Sequence, residues 1–316
     1  MATATQTQTG VINLQEERRQ PQSMTRIVVR RFFAHRMAVF GLILLVLIVL
    51  YVTVGAAFFS EDYANKTNVR SKFEAPGAEF PFGTDSVGRD VMARTIYGGQ
   101  ISLAIGVVAM SISVTLGTLV GLAAGYFGGL VDAILMRLVE AILTIPLLIL
   151  LLLLSRALME ISSATTVILG REISVTVVVI VIIIGLTSWM GLSRIVRSMV
   201  LSLKEQEFVV AAHSMGAGKA RIIFGHILPN CIAPILVSAT LEVGVAIVIE
   251  AALSFLGFGV MPPTATWGNI LNGARQSIDD LWWLWVAPGA LIMATVLAIN
   301  FIGDGLRDAF DPRSIK

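Results

Sequence analysis

The sequence predicts an all-α membrane protein with six transmembrane helices. Composition is the first observation behind this: apolar residues make up 56% of the 316 and charged residues 14%, far below the roughly 25% charged of soluble domains. The pattern of apolar runs is the second. Residues 38–59, 101–127, 173–193 and 281–303 contain no Asp, Glu, Lys or Arg, and each reaches the about 20 residues that a spanning helix requires. Clustering of Lys and Arg in three segments outside the runs is the third.

Taken in chain order, residues 1–37 are polar and carry arginines, so the first run reads as a retained helix and not as a cleavable signal. In the 60–98 segment, Asp85 and Arg89, then Asp90 and Arg94, stand at i,i+4 spacing. That suits a short amphipathic surface helix capped by Thr84 or Asp85 and tying the outer loop to the membrane. In the second span Gly117, Gly121 and Gly125 are four apart and share a face where a neighbouring backbone can approach closely. The neighbour is either a helix of the same chain or another subunit, with a sliding contact during gating as the sharper case. A leucine at Gly121 is expected to do more harm than one at Gly55 in the first span.

The third span begins near Ala133 and continues through Glu140 to Ser155, with Pro146 expected to kink it. The fourth is 173–193. The fifth covers roughly 234–256 and contains Glu242 and Glu250, and the sixth is 281–303. Ionisable groups at membrane depth face protein interior or a pathway. Glu140 follows Arg137 by three residues, so an internal ion pair is the simplest reading. Glu242 and Glu250 are eight apart, about 80° around a helix, and are spaced to face one cavity. They serve there either as interhelical hydrogen-bonding groups or as substrate contacts.

Basic residues orient the bundle. The N-terminal tail has Arg18, Arg19, Arg26, Arg30, Arg31 and Arg36; the loop after the fourth span has Arg194, Arg197, Lys204, Lys219 and Arg221; the C-terminal tail has Arg307, Arg313 and Lys316. In the 60–98 segment acids offset the bases. The positive-inside bias therefore places both termini and residues 194–233 in the cytoplasm.

No enzyme constellation is present. Cys231 is the single cysteine, which excludes a disulfide framework within the chain and a Cys-rich metal site. His35, His213 and His226 lack metal-ligand spacing and read as satisfied surface histidines. Gly218-Lys219 has a phosphate-loop look, but Ala220 follows the lysine and His213 stands where the first glycine belongs. Catalytic residues, resident cofactors and metals are accordingly expected to be absent. No basic stripe is interleaved with aromatics, so nucleic acid is not a partner.

The polar stretch 209–230, VVAAHSMGAGKARIIFGHILPN, interrupts two apolar segments. Residues 209–215 suit a short helix that Gly216 terminates in the left-handed region. Residues 218–224 suit a second helix, with Pro229 and Pro234 setting its entry into the membrane. Ala211 and Ala212 are small and permit close approach. The result is a helix–Gly–helix elbow shaped for a partner's groove.

Ala-Ala, three residues, Gly216, nine residues and His226-Ile-Leu-Pro229 form a spacing that resembles the cytoplasmic "EAA" loop of binding-protein-dependent ABC importer permeases. FGTDSVGRDVMART at 82–95, EAALSFLGFG at 250–259, PPTATWGNIL at 262–271 and NFIGDGLRDAFDP at 300–312 occur with it. Jointly they resemble the C-type permease subunit of the dipeptide/oligopeptide/nickel group, from about Arg30 onward. One departure is Val210, which replaces the glutamate that names the motif.

The resemblance implies a type I importer permease fold in the cytoplasmic (inner) membrane. It also implies coupling to ATPases through Ala211, Ala212, His213, Gly216, Ala217, Arg221, Leu228 and Pro229. The partners implied are a homologous second permease, two ABC ATPase subunits that carry ATP and Mg²⁺, and an extracytoplasmic substrate-binding protein. The organisation expected is a cytoplasmic tail (1–37), a first transmembrane helix (38–59) and an extracytoplasmic loop (60–98). A five-helix core (99–304) containing the coupling loop 194–233 follows, then a C-terminal tail (305–316). Group frequency favours a peptide substrate over a nickel chelate or another small solute. An ion-gradient-driven secondary transporter would use the spans and acids but leave the elbow without a purpose.

Overall fold

A computed structural model describes residues 24–159, 165–168, 171–275 and 280–311. Arg18 and Arg19 in the N-terminal tail, and Arg313 and Lys316 at the other end, lie outside the described residues. The described chain is a helical bundle. Five helices are long and apolar enough to cross a membrane, or six if one bent pair counts as a span.

Helix α1 (Met24–Ala34) leads into α2 (Arg36–Phe58). His35 caps α2: its Nδ1 accepts from Ala38 N–H at 3.1 Å, while its Nε2 lies 3.4 Å from Asp308 near the opposite terminus. Apolar side chains surround α2 and many are exposed, Phe40, Ile43, Leu47 and Leu50 among them, as befits a helix whose solvent is lipid. Gly55 is not a permissive position. A Cβ there would stand 2.8 Å from the Ile96 side chain, so the contrast with Gly121 expected from sequence is smaller than foreseen.

The outer segment departs from expectation. A short helix α3 (Glu61–Asn65) forms, but no helix covers 85–94. The Asp85 carboxylate takes over instead, its Oδ1 accepting from the N–H groups of Val87 and Arg89, each at 2.9 Å, and its Oδ2 from Arg89 Nε at 2.6 Å. A side chain that satisfies the local backbone this way competes with helix formation. Gly83 and Gly88 turn the chain at φ +68° and +75°. Helix begins only at Val91, with Asp90 accepting from Ala93 N–H at 3.1 Å. Arg94 is buried and donates to Asn65 at 3.1 Å, unpaired with Asp90.

Helix α4 (Val91–Phe127) has 37 residues, about 55 Å at 1.5 Å per residue, so it extends well beyond the roughly 30 Å hydrocarbon core. The third span is broken where a kink was expected. Helices α5 (Gly129–Leu143) and α6 (Leu147–Met159) meet at 87°. Pro146 lacks an N–H and cannot continue the α5 ladder, and its carbonyl starts α6 by accepting from Leu150. Beyond α6 lies a feature the sequence reading did not contain, a two-stranded antiparallel hairpin of β1 (Thr165–Ile168) and β2 (Arg171–Ser174), paired Thr165↔Ser174 to Ile168↔Arg171. Arg171 anchors it, donating to Glu61 at 2.8 Å and Gln100 at 2.7 Å across the Tyr97 ring.

Helices α7 (Val175–Ser188) and α8 (Met190–Leu203) form the fourth span. It ends ten residues beyond the 173–193 run, at Leu203, so Arg194 and Arg197 belong to helix and not to loop. The elbow follows, as α9 (Glu207–Ser214) and α10 (Lys219–Ile222). A π-helical turn over Ile223–Ile227 then feeds α11 (Leu228–Phe255). Pro229 offers no N–H to the preceding turn, and the wider turn carries the chain through that gap. Helices α12 (Trp267–Ala274) and α13 (Trp283–Phe310) complete the bundle. Helix α4 is its axis, packing on α2, α7, α8 and α11. One core cluster gathers Ile105, Ile184 and Leu253, and a second gathers Leu122, Val196, Ile227 and Cys231 beside the elbow.

Candidate functional site

The elbow is built by a helix-ending hydrogen-bond pair. Ala217 N–H donates to Ala212 O at 3.0 Å and Gly216 N–H to His213 O at 2.9 Å, the Schellman arrangement that needs a left-handed residue at the cap. Gly216 supplies it at φ +81°. Inward, Val209, Ala212, Ile222, Ile223 and Ile227 are buried, and all but Ala212 join Leu122 of α4, Val196 and Val200 of α8 and Cys231 of α11 in one cluster. The elbow is thereby packed onto three spans.

Two kinds of elbow residue separate in the structure. Ala211, His213, Gly216, Arg221 and Pro229 are exposed. Ala212 is buried at 3%, and Ala217 and Leu228 pack against the same inner cluster. Ala212 is therefore corrected from a partner contact to an internal packing residue, because its side chain is already covered within the chain. The outward surface includes residues the sequence reading passed over. Phe208, Val210, Met215 and Phe224 are exposed, Met215 at 81%. Their signal was an apolar residue inside a polar segment, and Val210 in particular is an outward contact in the place of the missing glutamate.

The glycine seam faces α8. A Cβ at Gly117 would stand 2.8 Å from Trp189 O, at Gly121 2.6 Å from Ser193 O, and at Gly125 2.6 Å from Val200 Cβ. Beside the seam, Arg197 of α8 forks onto Asp132 of α5 at 2.5 and 2.6 Å.

The three acids have three different settings. Glu140 is exposed and paired with Arg137 at 3.2 Å, so it is not a buried acid. Glu242 is half-buried and accepts from Ser113 Oγ at 2.7 Å. Glu250 is fully buried and accepts from Ser254 Oγ at 2.7 Å and Ser102 Oγ at 3.2 Å. Both α11 acids thus turn to α4, at serines eleven residues or about 16 Å apart along that helix.

Glu250 is the centre of a packed knot. Ser254 Oγ accepts from Val260 N–H at 3.1 Å, and Ser102 Oγ from Trp267 N–H at 3.2 Å. Gly268 lies where a Cβ would meet Ala251 Cα at 2.6 Å, and Thr266 and Asn269 cap α12 reciprocally. EAALSFLGFG and TATWGNIL are therefore two faces of one structure. Ser102, Ser254 and Trp267 were not legible as its parts, because nothing local in the sequence links positions 102, 254 and 267.

A helical bundle of this kind with a packed polar elbow is the build of a polytopic transport protein. Comparison with known proteins agrees. A family model described as the binding-protein-dependent transport system inner membrane component matches residues 117–316. Another, described as the N-terminal TM domain of oligopeptide transport permease C, matches residues 23–76. A Brucella suis biovar 1 protein named as a peptide permease is 45% identical over 90% of this chain and 89% of its own length. The dipeptide transport system permease protein of Alkalihalophilus pseudofirmus is 39% identical over 88% of this chain and 86% of its own. The chain belongs to the binding-protein-dependent transport system inner membrane component family. It is a multi-pass permease of an ABC importer, a class that works with a partner permease, an ATPase and a binding protein. A crystal structure of an amino acid ABC transporter with histidines has a TM-score of 0.46 at 20% identity, covering 71% of this chain and 93% of that one.

Proposed function

We propose that this chain is the C-type permease of a peptide importer in the cytoplasmic membrane. It forms half of the translocation path with a homologous second permease. Two ABC ATPase subunits hold ATP and Mg²⁺ and dock on the elbow, and an extracytoplasmic binding protein delivers the peptide. Both termini and the elbow are cytoplasmic, by the basic bias of the tails and of residues 194–221.

One observation carries the reading: an apolar surface of Phe208, Val210 and Met215 is exposed between the spans Val175–Leu203 and Lys219–Phe255. Such a surface suits a partner's groove. Its inner side explains transmission. Val209, Ile222 and Ile223 are locked into the cluster that contains Leu122, Val196 and Ile227, so movement of the elbow is delivered to α4, α8 and α11 as packed bodies and is not lost in a loose loop. The peptide substrate rests on the names carried by the relatives above.

Met215→Glu tests the docking surface. It leaves the bundle intact, because the side chain points out, and puts a charge where desolvation opposes docking. Reconstituted complexes should lose peptide-stimulated ATP hydrolysis, and ATPase subunits should drop away on purification. Wild-type stimulation and uptake in this variant would remove the elbow as the coupling element.

A further inference from the structure

A cavity of about 700 Å³ opens between α5 and α8, along residues 191–199 of α8. Met136, Val139 and Met199 line it together with Glu140, Arg194 and Arg197. Its charges do not cancel. Arg197 is forked onto Asp132, and Glu140 is paired with Arg137. Arg194 is exposed and makes no hydrogen bond or ion pair among the described residues. One uncompensated guanidinium is left at the edge of the cavity.

The surroundings indicate what would meet it. Ile195 on α8, the direct neighbour of Arg194, is an exposed apolar residue in the cavity lining, together with the partly buried Met136 of α5 and Met199. Both helices belong to spans. A guanidinium with apolar surface on one side and aqueous space on the other is placed at a headgroup boundary. There it meets a phosphate through charge-assisted, bidentate hydrogen bonds, and basic pockets between spans take anionic headgroups for this reason. A soluble phosphate would gain nothing from Met136, Ile195 or Met199.

We infer that the α5–α8 cavity is a binding site for an anionic phospholipid, its phosphate on Arg194 and its chains against Met136, Ile195 and Met199. The site is distinct from the elbow surface and makes no use of the transported solute. Its test therefore stands apart from the assignment as a peptide importer.

The test uses the assembled complex purified from membranes, with retained phospholipid measured by extraction and mass spectrometry. Wild type should retain phosphatidylglycerol through detergent washing, and Arg194→Gln should retain several-fold less. Arg194→Lys, which keeps the charge but loses the fork, should fall between them and carries the test if the glutamine variant assembles poorly. Arg70→Gln removes an exposed charge that is not part of the cavity lining and should match wild type. Excess inorganic phosphate should not elute the lipid. Equal retention in wild type and Arg194→Gln would overturn the inference, as would no retained lipid in wild type. Elution by inorganic phosphate would assign the site to a soluble anion instead.

Discussion

Gly121 and Gly216 occupy two regions of the molecule that require glycine for unrelated reasons. In the seam between α4 and α8, a Cβ at Gly121 would stand 2.6 Å from Ser193 O and from Val196 Cβ, and the backbone is ordinary helix. At the elbow, a Cβ at Gly216 would meet nothing within 4 Å, but the backbone sits at φ +81°. The seam needs an absent side chain, and the elbow needs a conformation. Lipid offers no hydrophobic drive for helix association, so close backbone contact is what holds the seam. Gly216 lies between two spans, and its left-handed cap sets the angle of a small helix. Substitutions that probe space and substitutions that probe conformation should therefore rank the two regions in opposite order.

The largest effect is expected at the seam. Gly121→Leu drives four carbons into the Ser193 backbone, and overpacking of that kind costs about 1–3 kcal/mol or more. Yield of monodisperse complex by fluorescence size exclusion should fall several-fold, and Gly121→Ala should already show part of the loss. Gly191, whose Cβ would be in open space, is the matched control, and Gly191→Ala should assemble normally. Equal yields for Gly121→Ala and Gly191→Ala would end the distinction between the regions.

Next comes the knot that holds α12 to α4 and α11. Glu250→Ala removes the acceptor of Ser102 and Ser254 in a fully buried setting, and each orphaned buried donor costs about 1–3 kcal/mol. A drop of several degrees in thermal midpoint is expected, with Glu250→Gln closer to wild type because the amide oxygen still accepts. A neutral Glu250→Ala would remove the carboxylate from any structural role.

At the elbow the expected loss is of function and not of yield. Gly216→Val is strained at positive φ, whereas asparagine tolerates that region. Gly216→Val should assemble normally but lose peptide-stimulated ATP hydrolysis, and Gly216→Asn should retain most of it. If Gly216→Val reduces yield as strongly as Gly121→Leu, the elbow is part of the folding core. The smallest effect belongs to Arg137→Gln. Its ion pair with Glu140 is exposed, such pairs contribute little, and thermal midpoint and uptake should stay at wild-type values.

Legibility in the sequence follows the range of the interactions involved. Gly216 as a helix terminator was readable because the cap is a local event spanning six residues. Helix α9, expected over 209–215, forms over Glu207–Ser214. The helix expected over 85–94 failed for an equally local reason, since the Asp85 carboxylate serves its own turn, and i,i+4 charge spacing does not tell a helix from an Asp-capped loop. Pro146 was legible as an interruption but not as an 87° break, because the angle depends on what α5 and α6 pack against. The inward side of Ala212 was not legible at all. Ala211 and Ala212 are the same residue type, and only the packing of the folded chain decides which one is buried.

By itself the sequence determined the solvent of this protein, the position of its apolar runs and the identity of the elbow as its exceptional segment. Hydrophobicity, charge clustering and capping act within one helix or turn and are written in neighbouring residues. Tertiary structure alone decided that the glycine seam packs on α8 of the same chain, that Glu250 is satisfied by Ser102 from α4, and that Glu140 is exposed while Arg194 is left without a partner. Those outcomes join residues up to 148 positions apart. In lipid they rest on close packing and hydrogen bonds between helices, whose geometry exists only once the bundle has formed.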